Sequence, residues 1–183
     1  MTYVNLTNDQ ADYLRGIVAG KVVADLGCGD GSLAVTMANM GAAAVHAVDK
    51  APVCIRHRGV VVHQSYFDRW TMPEGVHVAV VSWPHNSGLP GIPKLLRGVP
   101  DVIYIGKNTD GTSCGSGAMF ALLIRRTTLR YIPDPRNVMI HYGNEPRPDR
   151  ALHHEEIAAI TQASLYRYDP TPERLDAVSW RRP

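Results

Sequence analysis

The stretch Val23-Ala24-Asp25-Leu26-Gly27-Cys28-Gly29-Asp30-Gly31-Ser32 sets three glycines at alternate positions between an apolar run and a helix-forming segment. Glycine tolerates positive φ and lets a ligand lie against backbone that a side chain would otherwise block. A helix starting at Ser32 turns its free N–H groups toward the loop, where they suit an electron-rich or anionic ligand group. Asp49 closes the next apolar run, eighteen residues after Gly31. A carboxylate there can accept hydrogen bonds from ribose hydroxyls. The dinucleotide fingerprint GxGxxG would need glycine at position 32, which is Ser. Asp25 and Asp30 beside the loop favour a ligand with a positive centre over a diphosphate.

The elements that must position these residues follow from periodicity. Thr7 or Asn8 caps a helix to about Ala19, with Ala11, Leu14, Ile17 and Val18 at helical spacing. Strands are expected at Val22–Leu26, Ala44–Val48, Val60–His63, Val76–Val81 and Asp101–Ile105, and helices at Ser32–Met40, from about Pro93, and at Gly117–Arg126. Pro52 is expected to open a short helical turn. Thr128–Ile132 and Val138–Tyr142, joined by residues 133–137, read as a hairpin, and a helix is expected over Ala151–Leu165. The alternation predicts a single α/β domain over residues 1–183. Its sheet would be doubly wound, mostly parallel and seven-stranded, with helices on both faces and a C-terminal antiparallel hairpin.

Composition narrows the classes further. With 183 residues, 45% hydrophobic and 20% charged, the chain can bury a core, which excludes disorder, collagen-like repeats and coiled coil. No apolar stretch reaches the roughly 18 residues of a membrane helix, and the N-terminus carries no signal-peptide pattern. Three cysteines without a CxxC pair fit reduced thiols in a cytoplasmic protein, and no metal set is expected. His153-His154-Glu155-Glu156 does not have the HExxH spacing. A net charge of +2 permits a nucleic-acid partner without arguing for one, and the oligomeric state stays open.

The segment Asp25-Leu26-Gly27-Cys28-Gly29-Asp30-Gly31-Ser32, with Asp49 beyond it, resembles motif I of the class I S-adenosylmethionine-dependent methyltransferases. The resemblance runs over about two-thirds of the chain, through the fifth strand, and implies S-adenosyl-L-methionine as cofactor. It places Asp25, Gly27, Cys28, Gly29 and Gly31 at the cofactor and Asp49 at the ribose diol. By the same likeness Ser65 and Tyr66 lie near the adenine, with Asp68 as the alternative acid, and the Lys50 stem lies against it.

In an open α/β sheet the ligand lies beyond the carboxyl ends of the strands, near the switch point between the first and fourth. Ser82-Trp83-Pro84-His85-Asn86 stands there and is similar to motif IV of amino-methyltransferases. Ser82 and Pro84 match, whereas Trp83 replaces a proline and His85 an aromatic. The likeness implies that Ser82 orients an amine and borders the cofactor. Trp83 would stack on a flat substrate or face the sulfonium, and His85 would take a proton. Lys107, Asn108 and Asp110 follow in a long loop on the same sheet edge. The implied activity is methyl transfer to a nitrogen, ahead of an oxygen, of a small-molecule, nucleobase or RNA acceptor. The alternatives are an inactive S-adenosylmethionine-binding module or partner subunit, and an NAD-dependent oxidoreductase, which the glycine spacing opposes.

Overall fold

The first helix, α1 (Asn8–Val18), begins where its sequence can cap it. Gln10 N donates to Thr7 Oγ1 (3.3 Å) and Thr7 N donates back to Gln10 Oε1 (3.2 Å), a reciprocal capping box. This computed structural model describes residues 4–51, 53–84, 91–106, 123, 125–134 and 137–146. Three parallel strands follow α1, namely β1 (Val22–Leu26), β2 (Ala44–Asp49) and β3 (Val60–Gln64), with α2 (Ser32–Asn39) between the first two. Then come β4 (Val76–Ser82), the short α3 (Ile92–Leu96), β5 (Asp101–Gly106), β6 (Arg126–Ile132) and β7 (Val138–Pro146).

All seven strands form one sheet in the order β3-β2-β1-β4-β5-β7-β6. The first five in sequence run parallel, and β7 lies antiparallel between β5 and β6. Strand order reverses at β1, which pairs with both β2 and β4. The connections leaving β1 and β4 therefore diverge and leave a crevice at their carboxyl ends.

Alternate strand residues enter two separate cores. Val23, Val78, Val80 and Ile103 pack with Leu14 and Val18 of α1 and Met37 of α2. Ala24, Ala79, Val81 and Val102 pack with Ile92 and Leu96 of α3 and with Leu123. A one-residue slip of β4 would exchange the two sets, so burial on both faces holds the register that aligns the strand ends.

The structure departs from sequence expectation in two places. Residues 53–57 form no helical turn: Val53 and Ile55 turn inward and Cys54 and Arg56 outward, the two-residue period of extended chain. Arg126 opens β6 instead of closing a helix. Its buried guanidinium donates to the carbonyls of Leu96 (2.6 Å) and Val99 (2.8 Å), satisfying acceptors left bare beyond α3. The bounds of β6 and β7 leave 133–137 as their connection, of which 135 and 136 lie outside the described residues. The expected helix over 151–165, most of that over 117–126, and the His153–Glu156 cluster also lie outside them. No described helix is long and apolar enough to cross a membrane, and no three described His, Cys, Asp or Glu form a metal-sized group.

Candidate functional site

The glycine loop is built on the carboxyl end of β2. Gly27 N and Cys28 N both donate to Val48 O (2.8 and 3.1 Å), which tethers the loop over its neighbour strand. Gly29 N donates to Asp49 Oδ2 (3.0 Å), and Ala51 N to Asp49 Oδ1 (2.9 Å), so this carboxylate is oriented by backbone on both oxygens. Asp30 Oδ1 accepts from Ser32 N (3.0 Å) and covers one free donor at the start of α2.

Two of the glycines serve different ends. Gly31, at φ +80°, would drive a Cβ into the Ile55 side chain, so both the backbone conformation and the local packing favour glycine there. Gly29, at φ +56°, has no atom within 4 Å of where a Cβ would stand. Open space at Gly29 is what a ligand lying on bare backbone needs.

Asp25 is fully buried, and neither carboxylate oxygen has a hydrogen-bond partner among the described residues. Its strand neighbours in register are Ala47 and Val80, which can offer no side-chain donor. Burial, with the Asp49 charge adding to it, pushes this carboxyl up to about 7. An orphaned buried carboxyl costs roughly 1–3 kcal/mol, so it marks a place where a cationic or donor group would be stabilised. Burial, reinforced by Asp25, Asp49 and Asp30, pushes the Cys28 thiol up to about 12, which leaves it protonated and inert.

The residues expected near an adenine are less uniform. Lys50 is exposed. Ser65 N donates to Asp49 O (2.9 Å), which places Ser65 beside the acid. Tyr66 is 57% exposed, with the Arg69 guanidinium 5.5 Å from its ring centre. The aromatic turned inward is the next residue, Phe67, whose ring edge lies 3.8 Å from where a Gly27 Cβ would stand. Gly91 abuts the Phe67–Asp68 backbone so closely that no Cβ fits, which holds this turn against the start of α3. Neither Phe67 nor Gly91 stood out in the sequence, although a glycine just before Ile92-Pro93 is a visible signal.

At the end of β4, Ser82 is buried and Trp83 is not an ordinary strand residue. Trp83 has φ +45°, the one positive φ outside glycine among the described residues. Such a conformation costs roughly 1–3 kcal/mol and persists only where surroundings impose it. Here Trp83 N donates to Ile105 O (2.8 Å), and its indole Nε1 donates to Asn137 Oδ1 (2.6 Å). Asn137 was not singled out from sequence; its partner is remote along the chain. His85, Lys107, Asn108 and Asp110 lie outside the described residues. The structure thus gathers Asp25, Gly27, Gly29, Asp49 and Ser82 at the carboxyl ends of three adjacent strands.

No protein-family model matches the chain, and no curated protein matches it. Solved structures do. An S-adenosylmethionine-dependent methyltransferase from Mesorhizobium loti is 13% identical, covering 73% of this chain and 96% of its own, with a TM-score of 0.55. The N-methyltransferase NodS from Bradyrhizobium japonicum WM9, solved with S-adenosyl-L-homocysteine, is 12% identical over 75% of this chain and 87% of its own, at a TM-score of 0.56. SMU.1697c from Streptococcus mutans, also a complex with that molecule, is 14% identical over 76% and 99%, at 0.52. At such identities the likeness is one of fold. The chain has the fold of the class I S-adenosylmethionine-dependent methyltransferases.

Proposed function

We propose that this chain is an S-adenosylmethionine-dependent methyltransferase with a doubly wound Rossmann-like domain, working in the cytosol on a nitrogen, ahead of an oxygen, of a flat acceptor. The acceptor class is a small molecule, a nucleobase or RNA. The observation that carries this reading is the buried Asp25 carboxyl, without a hydrogen-bond partner among the described residues, in the strand that leads into a loop whose Gly29 faces open space.

The residues present fit the cofactor. The orphaned Asp25 oxygens answer a ligand bearing positive charge, and a Cβ at Gly29 would fill the space that the loop leaves open. Each Asp49 oxygen holds one backbone N–H and keeps a second lone pair for a ribose hydroxyl. Phe67 at the loop supplies apolar surface. When bound, S-adenosyl-L-methionine supplies an electrophilic methyl group on a sulfonium.

The chain's own part is to bind, align and exclude water. Asp25 becomes anionic opposite the cationic ligand, giving up its proton. Ser82 Oγ accepts a hydrogen bond from the acceptor's N–H and turns the nitrogen lone pair toward the cofactor side. Trp83 offers a flat wall. His85, two residues on, is assigned the acceptor's departing proton.

The test is transfer of a labelled methyl group from S-adenosyl-L-methionine into separate pools of small amines, nucleosides and total RNA. Incorporation into one pool is expected. Tight cofactor binding with no incorporation anywhere would favour a binding module, for which the departures from motif IV at Trp83 and His85 already speak.

A further inference from the structure

Trp83 and Asn137 form a polar strut across the sheet. Strand β5 lies between β4 and β7, Trp83 follows the last residue of β4, and Asn137 precedes the first residue of β7. A hydrogen bond of 2.6 Å between their side chains therefore bridges the carboxyl end of β5. Trp83 is half-buried and joins neither core cluster of the described residues. The indole is held by its N–H edge while its backbone sits at φ +45°.

Asn137 is 2% exposed and spends its groups on four other residues. Its Oδ1 accepts from Trp83, and its Nδ2 donates to Asn5 O (3.0 Å) in the segment before α1. Its backbone N donates to Asp134 Oδ1 (2.9 Å), and its carbonyl accepts from Nε2 of Gln10, the fully buried capping-box residue of α1. A residue so committed has little left for a ligand; what it does is fix its neighbours.

We propose that Asn137 is a positioning residue: it locks the Trp83 indole plane over the end of β5 and ties the chain before α1 to that same point. The proposal deepens the functional reading above, because it takes the end of β4 as the acceptor side. A flat ring fixed in advance by its edge lowers the entropic cost of stacking a flat acceptor on it.

The test uses the full chain labelled with ¹⁵N, in which three tryptophans give three indole N–H signals and Trp83→Phe identifies one of them. In the wild type the Trp83 signal is expected to be shifted downfield and protected from solvent exchange. In Asn137→Ala its exchange should speed by at least about tenfold, as expected for loss of a partly buried hydrogen bond, while the Gly29 amide signal stays in place. Affinity for S-adenosyl-L-methionine should stay within about twofold, while methyl incorporation into the pool the wild type labels falls by about tenfold or more. A purely structural role would lower affinity and transfer together, and that result overturns the proposal, as does a wild-type indole N–H exchanging at the solvent rate. Should Asn137→Ala fail to fold, Asn137→Leu keeps the bulk of the side chain and deletes the Oδ1 acceptor while leaving the Trp83 ring intact. Reduced transfer at unchanged affinity supports the strut, and wild-type transfer defeats it. A wild-type chain that labels no pool sinks the functional reading instead, and the indole signal still decides the strut.

Discussion

Two carboxyl groups at opposite ends of the sheet have opposite fates. Asp101 opens β5 at the amino end, where Lys21 Nζ lies 3.1 Å from one oxygen and His141 Nε2 3.0 Å from the other. Tyr13 OH in turn lies 2.8 Å from His141 Nδ1; with Tyr13 as donor there, His141 carries its proton on Nε2 and donates to Asp101. Partial burial raises the Asp101 pKa, but the bonds and charges of Lys21 and His141 outweigh it and hold the group below its ordinary value. Asp25, at the carboxyl end and more deeply buried, has no hydrogen-bond partner among the described residues and is pushed up to about 7. Burial alone therefore says little about a carboxyl's role. Pairing decides whether it fastens elements together or stays in reserve for a ligand.

The sharpest way to break this contrast is Asp25→Asn. If Asp25 is the reserved group, S-adenosyl-L-methionine affinity should fall by roughly 100-fold, about 2–3 kcal/mol, in titration calorimetry. Urea unfolding of the same variant at pH 8 should show a gain, because an uncompensated buried charge is removed. Unchanged affinity would take Asp25 out of the site.

Asp101→Asn should behave in the reverse manner. Lys21 is too exposed to contribute much, but His141 is buried and loses its ionised acceptor. A stability loss of about 1–2 kcal/mol is expected, with cofactor affinity unmoved. A loss of affinity there would join two ends of the sheet that the structure keeps apart.

The pH dependences have opposite signs. The folded pKa of Asp25 is raised, so its effect on stability is most favourable below the unfolded value near 4 and declines as pH rises toward 7. The folded pKa of Asp101 is depressed, so its contribution is present above the unfolded value and lost as pH falls through the folded one. Cofactor affinity should be flat above pH 7 and fall about tenfold per unit below it, since binding must expel the Asp25 proton. Calorimetry in buffers of different ionisation heat would detect that proton; affinity flat from pH 5 to 8 would contradict it.

Tyr13→Phe should have the smallest effect. Removing one half-exposed hydroxyl from the Asp101 network should cost about 0.5–1 kcal/mol in thermal unfolding and leave the cofactor site untouched. An effect above roughly 2 kcal/mol would mean that the network is more cooperative than its pairwise bonds suggest.

Much of the site was legible from local chemistry. The three glycines, the flanking apolar runs and the acid at the end of the second run are short-range signals, and the structure puts Gly27, Gly29 and Asp49 together as spacing suggested. The distinction between Gly29 and Gly31 was not legible, because it turns on where Ile55 comes to rest. Tyr66 and Phe67 are adjacent aromatics with similar propensities, and only the turn packed on Gly91 decides which one faces inward. Arg126 fits a helix terminus by type, yet the bare carbonyls past α3 draw it into β6.

Sequence alone determined the alternation of elements, the loop where backbone lies bare and the acid that orients it, because glycine spacing and hydrophobic period act within a few residues. Tertiary structure alone decided that Asp25 would be stranded between Ala47 and Val80, and that Trp83 would twist to meet Asn137, 54 residues away. Those outcomes depend on which strands become neighbours. That is settled by burying two apolar faces at once, a choice that no local stretch of chain encodes.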